Sequence, residues 1–328
     1  MKKSQVELQF NWIYVAVVGV AFLLLFISIS SAVKKNAEAK LADKTVEYFD
    51  EIFTNLQASD KTEDSIMLPG MAIKIATDRD NCNFYTVEGT DLEGRSIEFT
   101  PLFSPDVITR KVLAFSHSWD MPFRAAYFLY LTSPEIAYVS IGQTPEMPEN
   151  ITHFNLAASA SSTFTNKNYK KIRFVSSSGN PESFSLDGSV SVMDDKSVTA
   201  VFMQGYSIKF YEKEGNKFVY KGETQYINYP MLLAAIYSEN KESYECNIEK
   251  SLKRLNKLAG ITIKRTEKLK QISSCSASLY DSAISSLTQI ELNTESYNIN
   301  SLSVISSASN SLETVNKELN KKACQTIY

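Results

Sequence analysis

Apolar and polar positions follow three different schedules along this chain. The first is unbroken: Phe10 to Val33, FNWIYVAVVGVAFLLLFISISSAV, is apolar on every side and holds no Asp, Glu, Lys or Arg. At about 1.5 Å per helical residue, such a run crosses a hydrocarbon core of about 30 Å. It predicts a transmembrane helix over 10–33, preceded by a short leader, 1–9. From 34 to 58 the schedule becomes helical: Leu41, Tyr48, Phe49, Ile52, Phe53 and Leu56 recur among Lys40, Asp43, Lys44, Glu47 and Glu51. No proline occurs before Pro69, so one helix is expected to continue past the apolar segment to about residue 57. The polar stretch 59–70, closed by Pro69-Gly70, reads as a hinge.

The second schedule, over 71–242, is one of short apolar runs. Strands are expected at Met71–Ala76, Cys82–Val87, Ser96–Phe99, Lys111–Ser116, Glu135–Gly142, Lys171–Ser177 and Ser197–Met203. Asp120 and Pro122 look like a helix start, so Phe123–Leu131 is expected to be a buried helix, and Asn150–Ser159 a second one. Tyr206–Glu212 and Lys217–Glu223 flank a turn as a hairpin, and Pro230–Tyr237 starts a helix. Strand–helix–strand order implies a mixed α/β sheet with βαβ units. The third schedule, over 243–328, is helical again. Its stripes run from Ile248 to Ile272, from Leu279 to Ile290 and from Ile305 to Leu319, which predicts a three-helix layer or small bundle.

Composition changes little in this picture: 44% apolar, 22% charged and a net charge of −3 leave no global electrostatic case for nucleic acid. Cys82, Cys246, Cys275 and Cys324 form no CxxC and no Cys/His cluster, so no metal site is expected. An even count suits two disulfides in an oxidising space. Up-down-up helix order brings Cys324 toward Cys275 and leaves Cys82 with Cys246, although three connectivities remain open. Asn150-Ile-Thr is a single glycosylation sequon.

Candidate chemistry is sparse. No GxGxxG or GxxxxGK[ST] follows any expected strand, so no cofactor is implied. His117, Trp119, Asp120 and Arg124 form the densest cluster of polar and aromatic groups, just after an expected strand, where α/β sites gather. They are the candidate binding residues of a tethered enzyme or small-ligand binder. Neighbours in sequence point in different directions, however, and no catalytic residue is assigned. Asp194-Asp195 reads as a surface turn. The first C-terminal helix is rich in Lys and Arg, which reads as a solvated face or as a surface for an anionic partner.

Lys2-Lys3-Ser4 before Gln5, followed by the long apolar helix, resembles the N-terminus of archaeal type IV pilin-like proteins. That resemblance implies cleavage between Ser4 and Gln5, although Glu7 stands earlier than the glutamate of that pattern. QVELQFNWIYV, PFRAAYFLYLTSP and YECNIEKSLKRLNKL are similar to uncharacterised single-pass archaeal membrane proteins. The expectation is a single-pass protein in the cell membrane with its C-terminal part outside. Its partners would be the bilayer and other envelope or surface proteins, with the N-terminal helix able to oligomerise. Lys34, Lys35, Lys40 and Lys44 after the span, against Lys2 and Lys3 before it, argue for the opposite orientation.

Overall fold

A computed structural model describes residues 3–58, 63–77, 82–87, 95–96, 100–157, 164–272, 275–295 and 298–328. The chain separates into two units, one of residues 1–50 with 89–92 and one of the remainder. In the first, α1 (Lys3–Ala58) runs as one helix through the apolar segment and beyond it. Its last residues belong to the second unit, where Leu56 is fully buried.

Among the described residues the second unit holds two six-stranded sheets. The first is ordered β3 (Arg95–Ser96), β2 (Cys82–Val87), β1 (Glu63–Thr77), β5 (Val107–Asp120), β6 (Arg124–Thr132) and β4 (Leu102–Phe103). It is antiparallel except for β4 beside β6. The second is ordered β12 (Lys217–Gln225), β11 (Ser207–Glu214), β10 (Val198–Gln204), β9 (Lys171–Ser176), β7 (Ile136–Ile141) and β8 (His153–Leu156). Strands β8, β7, β9 and β10 run parallel, and β11 and β12 close the sheet as an antiparallel hairpin.

Three expectations are corrected here. Phe123–Leu131 is not a helix: residues 124–132 are β6, buried nearly throughout. A strand covered on both faces loses its period of two and reads like a buried helix. Asp120 and Pro122 belong instead to the β5–β6 hairpin turn, where Met121 N donates to Phe123 O at 2.9 Å and the Met121–Pro122 bond is cis. The expected helix over 150–159 is a turn leading into β8; residues 158–159 lie outside the described part. Pro69-Gly70 is no hinge either. Both lie inside β1, at the irregularity where pairing with β5 skips from Leu68 to Ala72, while residues 59–62 fall outside the described part. Residues 97–99 of the third expected strand also fall outside it. The connection from β9 to β10 carries only short turns, at Pro181–Ser183 and Asp195–Ser197, and the four-residue α2 (Gly188–Ser191).

The remaining helices are α3 (Tyr229–Tyr237), α4 (Lys241–Ile272), α5 (Ala277–Asn293) and α6 (Ile299–Lys321). Asn228 caps α3, accepting from Met231 N at 3.3 Å, and Pro230 fits its first turn. Helix α3 is buried on nearly all sides, and α4 packs on both sheets and on α5, which packs on α6. Two specific bonds seat these helices: Leu102 N donates to Asn247 Oδ1 at 2.9 Å, and Tyr244 OH donates to Gln225 O at 2.9 Å. One apolar core runs from Phe103, Phe128 and Tyr130 in the first sheet through Val201 and Phe210 in the second to Leu287 and Leu312 in the helices. Position 243 is therefore not a domain boundary. The opposite face of the second sheet has its own core, with Phe174 packed among Phe164, Phe184 and Phe218.

Disulfides join Cys82 to Cys246 and Cys275 to Cys324, with Cα–Cα distances of 5.6 and 6.0 Å. The first ties β2 to α4. The second ties the start of α5 to the chain after α6.

Candidate functional site

The residues singled out in sequence do not converge. On β5, Phe115, His117 and Trp119 point to one face, Ser116, Ser118 and Asp120 to the other. Trp119 is fully buried and stacked on Phe128 at 5.3 Å, and its Nε1 has no hydrogen-bond partner among the described residues. His117 is half-buried, with Nδ1 3.2 Å from Ser118 O and its ring edge-on to Tyr229 at 5.5 Å. Asp120 and Arg124 sit at the exposed hairpin end, 3.6 Å apart, and Arg124 donates to Tyr127 OH at 2.5 Å while lying over its ring. Although Phe123–Leu131 is almost wholly apolar, β6 turns Arg124 outward and its charge is not buried. One core indole, one edge histidine and one surface ion pair make no shared pocket.

A parallel sheet invites a ligand at the carboxyl ends of its strands where the order reverses. Here that point lies between β7 and β9, because the chain steps from β7 out to β8 and returns to β9. It is packed shut by its own loop. Ser177 N donates to Ile141 O at 3.0 Å, and a Cβ on Gly142 (φ +86°) would meet Ser177 Oγ and Ser178 Cβ at 2.7 Å. Ser176 Oγ donates to Ser178 O and Gly179 O, holding the loop down.

The opposite, amino-terminal edge carries a cleft of about 230 Å³ lined by Asp106, Thr109, Glu135, Lys170, Lys171 and Lys196, among others. Its inner charges are mutually paired. Glu135 accepts from Arg110 at 3.0 Å, Lys170 at 3.1 Å and the Thr109 hydroxyl. Burial pushes Glu135 up, but the Thr109 and Lys170 bonds and the charges of Lys170 and Arg110 outweigh it and leave its pKa below the usual range. Lys171 bridges Asp106 at 2.5 Å and Glu239 at 2.6 Å.

Behind it lies Arg173, which sequence reading passed over. It is wholly buried. NH1 donates to Thr199 Oγ1 at 2.9 Å and Glu239 O at 3.1 Å, and NH2 to Ala235 O at 3.0 Å and Ser238 O at 2.8 Å. The guanidinium thus takes up carbonyls at the C-terminal end of α3, where the helix leaves acceptors unsatisfied and favours a cation. Desolvation lowers its pKa, and nearby Glu239 opposes that shift. The available signal was a charge at an inward position of KIRFVSS. This edge links both sheets to α3, and its chemistry is that of a structural clamp. Asp194 and Asp195 likewise serve locally: Asp194 caps a turn, and Asp195 binds buried Lys213 at 2.6 Å.

Residues Trp12–Ala37 form one helix long and apolar enough to cross a membrane, with none of it buried. Leu23, Leu24, Phe26 and Ile27 are all more than half exposed. Among the described residues no group of His, Cys, Asp and Glu is placed to hold a metal ion. No protein family, curated protein or solved structure matches the chain.

Proposed function

We propose that this chain is a membrane-anchored interaction protein of the cell envelope. In this reading α1 inserts as the anchor, and the two-sheet unit with its C-terminal three-helix layer stands on the outer, oxidising side. The apolar segment of α1 carries the reading, because about two dozen uncharged residues left in water would cost far more than a domain's net stability. The paired cysteines support the outer side. Contact with other envelope or surface proteins is then the work that remains for a unit whose strand-end crevice is filled and whose inner charges are paired. Cleavage between Ser4 and Gln5, which the pilin-like resemblance implies, belongs to the same proposal.

The test is alkaline extraction of membranes from cells making the full chain, with impermeant amine labelling of intact cells. The expected result is retention in the membrane pellet and labelling of lysines between 167 and 322 without lysis. Release by alkali overturns the anchor, and labelling only after lysis overturns the orientation.

A further inference from the structure

Helix α4 presents a cationic stripe that the fold does not use. Lys253, Arg254, Lys257, Lys264, Arg265 and Lys268 are all exposed. At about 100° per residue they fall within an arc of roughly 120° on one side of the helix. Ile261 and Ile272 lie in the same arc, 65% and 76% exposed. The acidic residues of this stretch sit on the flank, where Glu249 pairs with Lys253 at 2.8 Å. Among the described residues no carboxylate lies within 4.0 Å of Arg254, Lys257, Lys264, Arg265 or Lys268. The buried side of α4 is complete, with Leu252, Leu255, Ala259 and Leu269 in the core. Packing therefore does not account for the stripe.

We propose that this stripe docks the globular unit onto anionic lipid headgroups of the bilayer that α1 anchors. The inference rests on the anchor reading, since a tethered unit meets its own membrane at high effective concentration. Charge complementarity selects an anionic surface. The two isoleucines select lipid over an acidic polymer, because an apolar side chain gains by entering the acyl boundary while flanking lysines reach the phosphates. Over about 28 Å of helix, this is the composition of an interfacial surface.

The experiment uses the full chain in lipid nanodiscs with brominated acyl chains, either zwitterionic or containing phosphatidylglycerol. Quenching of Trp12 in the unaltered chain reports insertion of α1. In a Trp12→Phe background, Ile272→Trp reports contact of the stripe with lipid. Quenching at position 272 is expected in anionic discs only. Each basic residue near such a surface is worth about fivefold in occupancy, so joint Lys257→Glu, Lys264→Glu and Lys268→Glu lowers docking by at least about a hundredfold. These side chains are exposed, and an unchanged melting curve verifies the fold of the triple variant. Quenched Trp12 with unquenched position 272 overturns the docking and leaves the anchor intact. Unquenched Trp12 overturns the anchor and the docking with it. Quenching at 272 that persists in zwitterionic discs or after charge reversal overturns the electrostatic docking, as does capture of the stripe by a soluble acidic polysaccharide alone.

Discussion

Replacing Arg173 by Met tests the clamp between the sheets and α3. The guanidinium makes four hydrogen bonds, three of them buried, to the Thr199 hydroxyl and the carbonyls of Ala235 and Ser238, and one part-buried, to the carbonyl of Glu239. Methionine fills similar volume but donates nothing. Each abandoned buried acceptor costs about 1–3 kcal/mol, while removing a buried cation recovers part of its desolvation cost. The net loss works out at about 3 kcal/mol, against about 1 kcal/mol or less for Thr199→Val, which removes a single acceptor. Arg173→Lys falls between them, because one ammonium cannot span acceptors set around a planar fork. Urea unfolding of the full chain in detergent micelles reads this out. With a slope of about 1–3 kcal/mol per molar urea, the midpoint should fall by at least about 1 M for Arg173→Met. A variant within about 0.5 kcal/mol of the unaltered protein would refute the reasoning, because α3 would then not need this cation.

Three further perturbations follow from the same structure. The disulfides close separate segments, with sequence separations of 164 and 49, so loop-closure entropy assigns about 5 kcal/mol to Cys82–Cys246 and about 4 kcal/mol to Cys275–Cys324. Serine at both members of the second pair should speed hydrogen exchange in α5 and α6 well before β10 and β11. Leu287→Ala, at a fully buried position of α5, should cost about 2–5 kcal/mol in thermal or urea unfolding. The depressed pKa of Glu135 contributes stability that is present above its ordinary value of 4.5 and lost as pH falls through the folded value. Glu135→Gln should therefore lower stability at pH 7 and flatten its decline below pH 4.5, and parallel acid titrations of the two proteins would contradict this.

What could be read from the sequence depended on how clearly each segment kept a period. Helix α1 and the stripes of α4, α5 and α6 were legible because each repeats over several turns, and the β11–β12 hairpin because both arms alternate around Gly215. Up-down-up order pointed to the cysteine pairs that the structure contains. β6 was not legible: Ala125, Ala126, Phe128, Leu129, Tyr130 and Leu131 are buried together, and a run without period fits either element. Pro69-Gly70 misled because a strand can absorb such a pair at an irregularity as readily as a loop can. The charged edge around Arg173, Lys171 and Glu239 was invisible because β9 and the residues after α3 are distant in sequence and meet only in the fold. The cluster at His117 to Arg124 misled for the opposite reason, since adjacency along a strand separates side chains between two faces.

The central claim is that a membrane-anchored unit folds on the oxidising side of its bilayer. Counting thiols of the full chain in intact membranes, with and without denaturant and reductant, tests it most directly. The account predicts no reactive thiol in denatured, unreduced protein and four after reduction, since all four cysteines lie in disulfides. Four thiols reacting before reduction would contradict it and would put the unit on the reducing side, in line with the lysines that follow the apolar segment.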